Sequence, residues 1–436
     1  MENRPQLTSV TTEFETDVIE LLVETLQRAL KHESRTVGTE DLLATLVMGD
    51  SAAGEAIAPG MRHAGALGGM ISGRAGRGWA SDDHDDETSG EPADEHEVAA
   101  AWRVAQWQTV LRARKTTKAP KMAKAAETAK AAETAKAAET AKAAETAKAA
   151  ETAETVAQGD QEWPEPSGAL GACLFLALGL ARLEASPGVY ARHVARALLD
   201  LPNSRAREAY ALRRLDRAAA YAALDALDAL DARDTPATPA TDRPHSPAVT
   251  VLRRAGLLED RSNWLARKLM AWTSQHPGDG TSMLFAVTVE SGRQAVRCGR
   301  SAVEPVDLLL AVLALDRALS LAGRSLPAEV AAANEAAGLL RTHGVRLDAL
   351  ALSALAADPS PVSDEVPLSA AAERTFASAR LVAAEHHASS AGTVHLLAAL
   401  LDDEADDEEG SVSRRLRAHG VDPTALKADL APRLSA

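Results

Sequence analysis

The histidines that stand nearest one another in this sequence are His386, His387 and His395. Three imidazoles that converge can hold a transition metal, provided a ring nitrogen of each is free. His386 and His387 fall at the end of an amphipathic stretch, which turns them toward solvent rather than toward His395. His32, His63, His84, His96, His193 and His276 are scattered, with no nucleophile at a motif distance. The chain has no GxSxG elbow, no HExxH pair and no Cys–His signature, so acyl transfer and zinc-assisted hydrolysis lack their residues. Asp82 to Asp86 is rich in carboxylates but lacks the central glycine of a calcium loop, and reads as a solvated acidic tract. Cys173 and Cys298 cannot make a Cys-based zinc site. The chain is expected to be no enzyme and to use neither metal nor cofactor.

What remains is recognition through helix faces. Residues 37–47 read VGTEDLLATLV and residues 391–401 read AGTVHLLAALL. Gly38 and Gly392 can turn the chain, and Thr39 and Thr393 are then placed as N-caps. Leu42, Leu43, Leu46 and Val47 make one apolar stripe; Leu396, Leu397, Leu400 and Leu401 make its twin. DLLLAVL (307–313) and HVARALL (193–199) carry the same stripe. Upstream of each lies a long amphipathic segment: Phe14 to Ser34, Ser167 to Ala185, Met283 to Gly299 and Leu368 to His387. Downstream, GLLRTHGVRLDAL (338–350) and RRLRAHGVDPTAL (414–426) end a helix at Gly and start another, with VLRRAGLLED (251–260) a looser cousin. A unit of long helix, loop, capped helix and helix–Gly–helix therefore occurs four times.

Composition agrees with helices. Hydrophobic residues make up 46% but aromatics only 3%, and Ala and Leu dominate, so the strand formers are scarce. The net charge of −15 argues against nucleic acid, whose phosphates need a basic surface. GALGACLFLALGLA (168–181) is too short for a membrane span, the start of the chain is polar, and two distant cysteines suit a reducing compartment. Those features predict a cytoplasmic protein.

Residues 72–165 differ in character. SDDHDDETSGEPADEHE (81–97) is acidic and lacks apolar residues, which predicts disorder. A possible helix with Trp102 and Trp107 follows, its aromatics either packed on the first domain or forming a partner-binding face. KAAETA then repeats from Lys124 to Ala153 as an exposed helical spacer. A Pro- and Thr-rich linker spans 234–248.

The stretch FETDVIELLVETLQRALKHESRTVGTEDLLATLV (14–47) resembles the N-terminal repeat of Clp-type AAA+ unfoldases, in which a Phe-Thr start and long helix precede Gly-Thr-Glu-His-Leu-Leu. Leu368-Ser369 stands at the same distance before Gly392, and RLRAHGVDPTAL is similar to the family's closing helices. The resemblance implies an all-α chain of two pseudo-twofold domains, each a pair of repeats. These are 9–71 with a degenerate 166–233, and 281–358 with 364–436, connecting helices filling 249–276. No GxxxxGK[ST] loop or acidic Walker B strand occurs, so the likeness is to a recognition module without its motor.

In that family the N-domain docks adaptors and substrates, and the Glu of Gly-Thr-Glu helps bind phosphoarginine in some members. Here the match gives Thr39 and Glu40; Arg192, Val306 and Val394 stand at the Glu position of the other units. Glu15 replaces the family's Thr and is expected to repel a phosphate, while Ser369 keeps a hydroxyl. The other reading of Glu40 and Asp41 is that they complement a helix dipole. Peptide or apolar ligands are expected at Leu368, Ser369, Thr393 and Val394. The resemblance thus implies a non-enzymatic protein that binds Clp components, their substrates or adaptors, as adaptor or decoy, without nucleic acid or membrane. A structural repeat scaffold with no Clp link is the competing reading.

Overall fold

A computed structural model describes residues 13–61, 66–74, 78–81, 83, 92–130, 163–233, 247–254, 257, 282–388, 390–402 and 411–434. The protein is mostly helical, as its Ala and Leu content predicts. It divides into two compact units: Met1–Pro239 with Val362–Asp364, and Ala240–Pro361 with Glu365–Ala436. No described helix is long and apolar enough to cross a membrane.

In the first unit the order is β1 (Glu13–Phe14), α1 (Thr16–Lys31), β2 (Thr36–Val37), α2 (Thr39–Met48), α3 (Ala52–Ile57), α4 (Ala66–Gly73) and α5 (Pro92–Lys130). Then come β3 (Glu165–Pro166), α6 (Gly168–Leu183), β4 (Gly188–Val189), α7 (Ala191–Asp200), α8 (Arg205–Leu212) and α9 (Arg217–Arg233). The second unit runs α10 (Pro247–Arg254), α11 (Ser282–Arg297), α12 (Pro305–Leu321), α13 (Ala328–Ala331), α14 (Ala336–Thr342) and α15 (Leu347–Ser353). It continues with α16 (Ala370–Glu385), α17 (Thr393–Leu401), α18 (Val412–Ala418) and α19 (Pro423–Leu430).

The recurrence goes down to single hydrogen bonds. The four long helices α1, α6, α11 and α16 each have 16 residues. Each stops at a residue of positive φ: Glu33 (53°), Ala185 (51°), Gly299 (77°) and His387 (57°). The next amide reaches back to an alanine carbonyl, Ser34 to Ala29, Ser186 to Ala181, Arg300 to Ala295 and Ala388 to Ala383, at 2.8–3.0 Å. That is one Schellman stop used four times, with glycine in only one of them. The stripes expected on α2, α7, α12 and α17 are all buried, Leu42, Val194, Leu308 and Leu396 fully so. Each such side chain contributes roughly 1.5–3 kcal/mol by leaving water.

Short parallel pairings tie the repeats together. β1 pairs with β4 (Phe14 opposite Val189) and β2 with β3 (Val37 opposite Pro166), so the start of each repeat lies on the loop before the other's capped helix. The residue preceding each long helix donates its N–H to a valine carbonyl there: Glu15 to Val189 (3.0 Å) and Ser167 to Val37 (2.9 Å). In the second unit Leu368 bridges to Val303, and Ser369 donates to Val303 O at 2.9 Å. The reciprocal partner would be the segment before α11, which lies outside the described residues.

Two expectations change. Of the tract 81–97 expected to be disordered, 82 and 84–91 lie outside the described residues, and 92–97 are helical: α5 starts at Pro92, because Pro-Ala-Asp-Glu supplies a helix-compatible first residue and acidic groups for the first turn. Its first half packs on α1 and α6, burying Val98, Trp102, Val104 and Ala105. Trp102 therefore joins the core, and Trp107 is half-buried. The helix–turn–helix of the second repeat, in the first unit, also hid from the sequence. Arg214 (φ 52°) joins α8 to α9 where Gly344 and Gly420 stand in the later repeats. The KAAETA run is helical to Lys130, and 131–153 lies outside the described residues, as do 234–246 and most of 255–281.

Candidate functional site

Each capped helix begins in one way, and not as expected. Thr39 and Thr393 are the first helical residues, not N-caps; Gly38 and Gly392 occupy the cap position and have no side chain to offer. The third helical residue reaches back instead. Asp41 Oδ2, His193 Nδ1, Asp307 Oδ2 and His395 Nδ1 accept the N–H of Gly38 (3.3 Å), Tyr190 (2.9 Å), Glu304 (2.9 Å) and Gly392 (3.0 Å). An N–H aimed at Nδ1 fixes both histidines with their proton on Nε2, which meets Glu184 Oε2 (2.9 Å) and Leu434 O (3.1 Å). Burial holds both imidazoles below the ordinary histidine value. His395 thus has no lone pair for a metal, and it is buried away from the exposed His387. Among the described residues no three ligand-type side chains gather as a metal site.

The first N–H of such a helix has no acceptor within it. Pro305 removes the need by having none. The others borrow an acceptor from elsewhere: Ala191 from Asp17 Oδ2 (2.8 Å), Thr393 from Asn334 Oδ1 (2.9 Å) and Thr39 from Asp83 Oδ2 (2.9 Å). Asp83 does far more than the other two. Its carboxylate also accepts from Thr39 Oγ1 (2.7 Å), Ser167 Oγ (2.6 Å) and the Arg205 N–H (3.1 Å). Those four donors belong to the starts of α2, α6 and α8. Both hydroxyls are forced toward it, because each already accepts a helix amide, Ala206 N at Thr39 (3.0 Å) and Leu170 N at Ser167 (3.1 Å). Three helix N-termini converge on one fully buried carboxylate.

Glu40 sits beside this junction. It is 6% exposed, and Oε1 accepts from Arg205 Nη1 at 3.0 Å, while Oε2 is buried without a hydrogen-bond partner. Burial first, then the nearby carboxylates Asp41 and Asp83, push its acid up to about 7 despite Arg205. Glu40 therefore does not act as a solvent-facing complement to the dipole. The guanidinium that a carboxylate at this position can hold is supplied by the protein itself.

The other expected residues separate. Glu15 lies against Gly188, where an added Cβ would come within 2.4 Å of its carboxylate, at the start of α1. Glu40 lies near the opposite end of α1, about 24 Å away along the helix axis. Glu15 consequently cannot repel a ligand at Glu40. Val394 and Thr393 are buried, and a Cβ at Gly392 would meet Ala333 O at 2.1 Å, so no groove opens there. Leu368 and Ser369 are half-buried; Ser369 Oγ accepts from Ala372 N (3.2 Å) and donates to Glu304 Oε2 (3.1 Å). At Arg192, Asp228 and Glu184 pair with the guanidinium and Tyr190 stacks on it.

Three residues of the junction escaped the sequence reading. Ser167 had a signal, since Pro166-Ser167 stands before α6 as Leu368-Ser369 stands before α16. Arg205 follows the N-cap Ser204 and had only that. Asp83 is one aspartate among several in an acidic run, and nothing local marks it. Compared with known proteins, the chain matches no family model, no curated protein and no solved structure.

Proposed function

We propose that this chain is a non-enzymatic, cytoplasmic binding protein that takes the part of a Clp N-terminal domain without the motor. It would bind Clp protease components, their substrates or adaptors, and act as adaptor or decoy. The observation that carries the reading is the reciprocal pairing in the first unit, where each repeat begins on the loop before the other's capped helix. Two repeats closed in that way leave helix N-termini from both at one junction, which is a place for recognition rather than for bond-making. The sequence likeness of 14–47 and 364–436 to Clp repeats supplies the partner class.

The test is direct capture with the purified full-length chain and a nucleotide-trapped Clp unfoldase from the same host. Specific retention of the unfoldase, or competition by the chain for its N-domain ligands, supports the reading. Absence of both at micromolar concentrations refutes it and leaves the scaffold reading.

A further inference from the structure

The four long helices share one stop, so their residues can be matched by counting back from its left-handed residue. The places fourteen, ten, seven and three before it fall on one helix face. On α16 that row is Glu373, Ala377, Arg380 and Ala384, and all four are exposed, as suits a face that meets water. On α1 the row is Ile19, Val23, Leu26 and Leu30, and the first three are buried. There α5 lies on α1, with Arg112 paired to Glu20 (3.2 Å) and with Val98, Trp102 and Ala105 buried at the same helical spacing. α11 carries the apolar form of the row, Phe285, Val289, Gly292 and Val296, but only half of it is covered. Gly292 and Val296 are buried, whereas Phe285 is 56% exposed and Val289 38%. α10 packs on α11 and α12, yet its 8 residues reach only about 12 Å, against 39 residues in α5.

We propose that Phe285 and Val289 form a docking face for an amphipathic helix of a partner protein. That helix presents aliphatic and aromatic side chains at the i, i+4, i+7 spacing of Val98, Trp102 and Ala105. The repeats themselves carry the argument. α16 shows that the fold accepts charge at these places when they stay in water, and α1 shows that a helix covers them when they are apolar. A second copy of the chain cannot lend its α5 for this purpose, because α5 is already seated on α1. The covering helix therefore comes from a different protein.

The inference rests on the proposed binding role and gives it a surface, but its test uses no Clp component, so the two can fail separately. A labelled peptide of residues 92–114 serves as the helical probe. It is titrated by fluorescence anisotropy against the full-length wild type, Phe285→Asp, Val289→Asp and, as the matching change on α16, Ala377→Asp. Wild type and Ala377→Asp are expected to bind it at micromolar concentrations, and both α11 variants to bind about tenfold or more weakly. A peptide carrying Trp102→Ala should lose a similar factor. Both α11 positions are exposed, so the thermal midpoint should stay near that of wild type; if Phe285→Asp does not fold, Phe285→Ser decides. No binding to wild type overturns the proposal. So does binding that the α11 variants leave unchanged, which means that the peptide exchanges with α5 on α1. A wild-type dimer that Phe285→Asp dissolves makes a second copy the occupant, and overturns it too. Carbene labelling of the free chain that leaves Phe285 protected makes the chain's own residues the cover, with the same consequence.

Discussion

Replacing Glu40 by glutamine should change how stability depends on pH. The carboxyl is buried among Asp41, Asp83 and Arg205 and is raised from 4.5 to about 7. A folded acid that holds its proton more tightly than the unfolded one contributes stability fully present below the unfolded value. That contribution is lost as pH rises through the folded value. With these two values the Glu40 share falls by about 2.5 kcal/mol between pH 5 and pH 8. Glutamine keeps an acceptor for Arg205 and removes the titration. The difference in stability between wild type and Glu40→Gln should therefore move by about that amount, in favour of the variant at high pH. Native-state hydrogen exchange at the amides of Leu43 to Val47 reads it, because those amides open with the helix whose first turn holds Glu40. A surface carboxylate serving the dipole would give a flat or opposite trend. A difference constant to within about 0.5 kcal/mol across that range would refute the buried-acid account.

Two further substitutions test the repeated backbone. Ala185→Gly should stabilise the first unit by about 0.5–1 kcal/mol in urea unfolding, since Ala185 pays for a left-handed stop that Gly299 adopts freely. No change, or a loss, would show that the alanine methyl group packs usefully. Gly392→Ala should cost about 1–3 kcal/mol, because its Cβ would meet a backbone oxygen at 2.1 Å that cannot swing aside. A neutral thermal midpoint would mean that the Ala333 backbone yields.

Periodicity made the helices legible. The stripes at Leu42 to Val47 and Leu396 to Leu401 were read because burying one helix face requires that spacing. The stops were legible only where glycine marked them. Glu33, Ala185, Arg214 and His387 adopt the same left-handed turn with side chains that sequence does not flag. The site was half legible: Thr39 and Glu40 were singled out, but their partners Ser167 and Arg205 come from residues more than a hundred positions away. Sequence shows what a residue carries, and not which distant helix start will face it. Asp83 is the extreme case, since its neighbours in the chain carry the same carboxylate and only the fold chooses among them.

The strand exchange that closes the first unit also sets when it can close. Phe14 and Val189 lie about 175 residues apart, against about 65 for Val303 and Leu368 in the second unit. The longer loop costs only about 0.9 kcal/mol more to close, so equilibrium barely notices the intervening segment. Synthesis does notice. At the usual pace of translation the edge at Phe14 leaves the ribosome about 9–35 s before its partner strand exists. During that interval Leu22, Leu26 and Leu43 can be covered only by elements already made, α3 to α5 among them, and not by α7. Whatever sequence is inserted between the two repeats acts as a clock on that exposure.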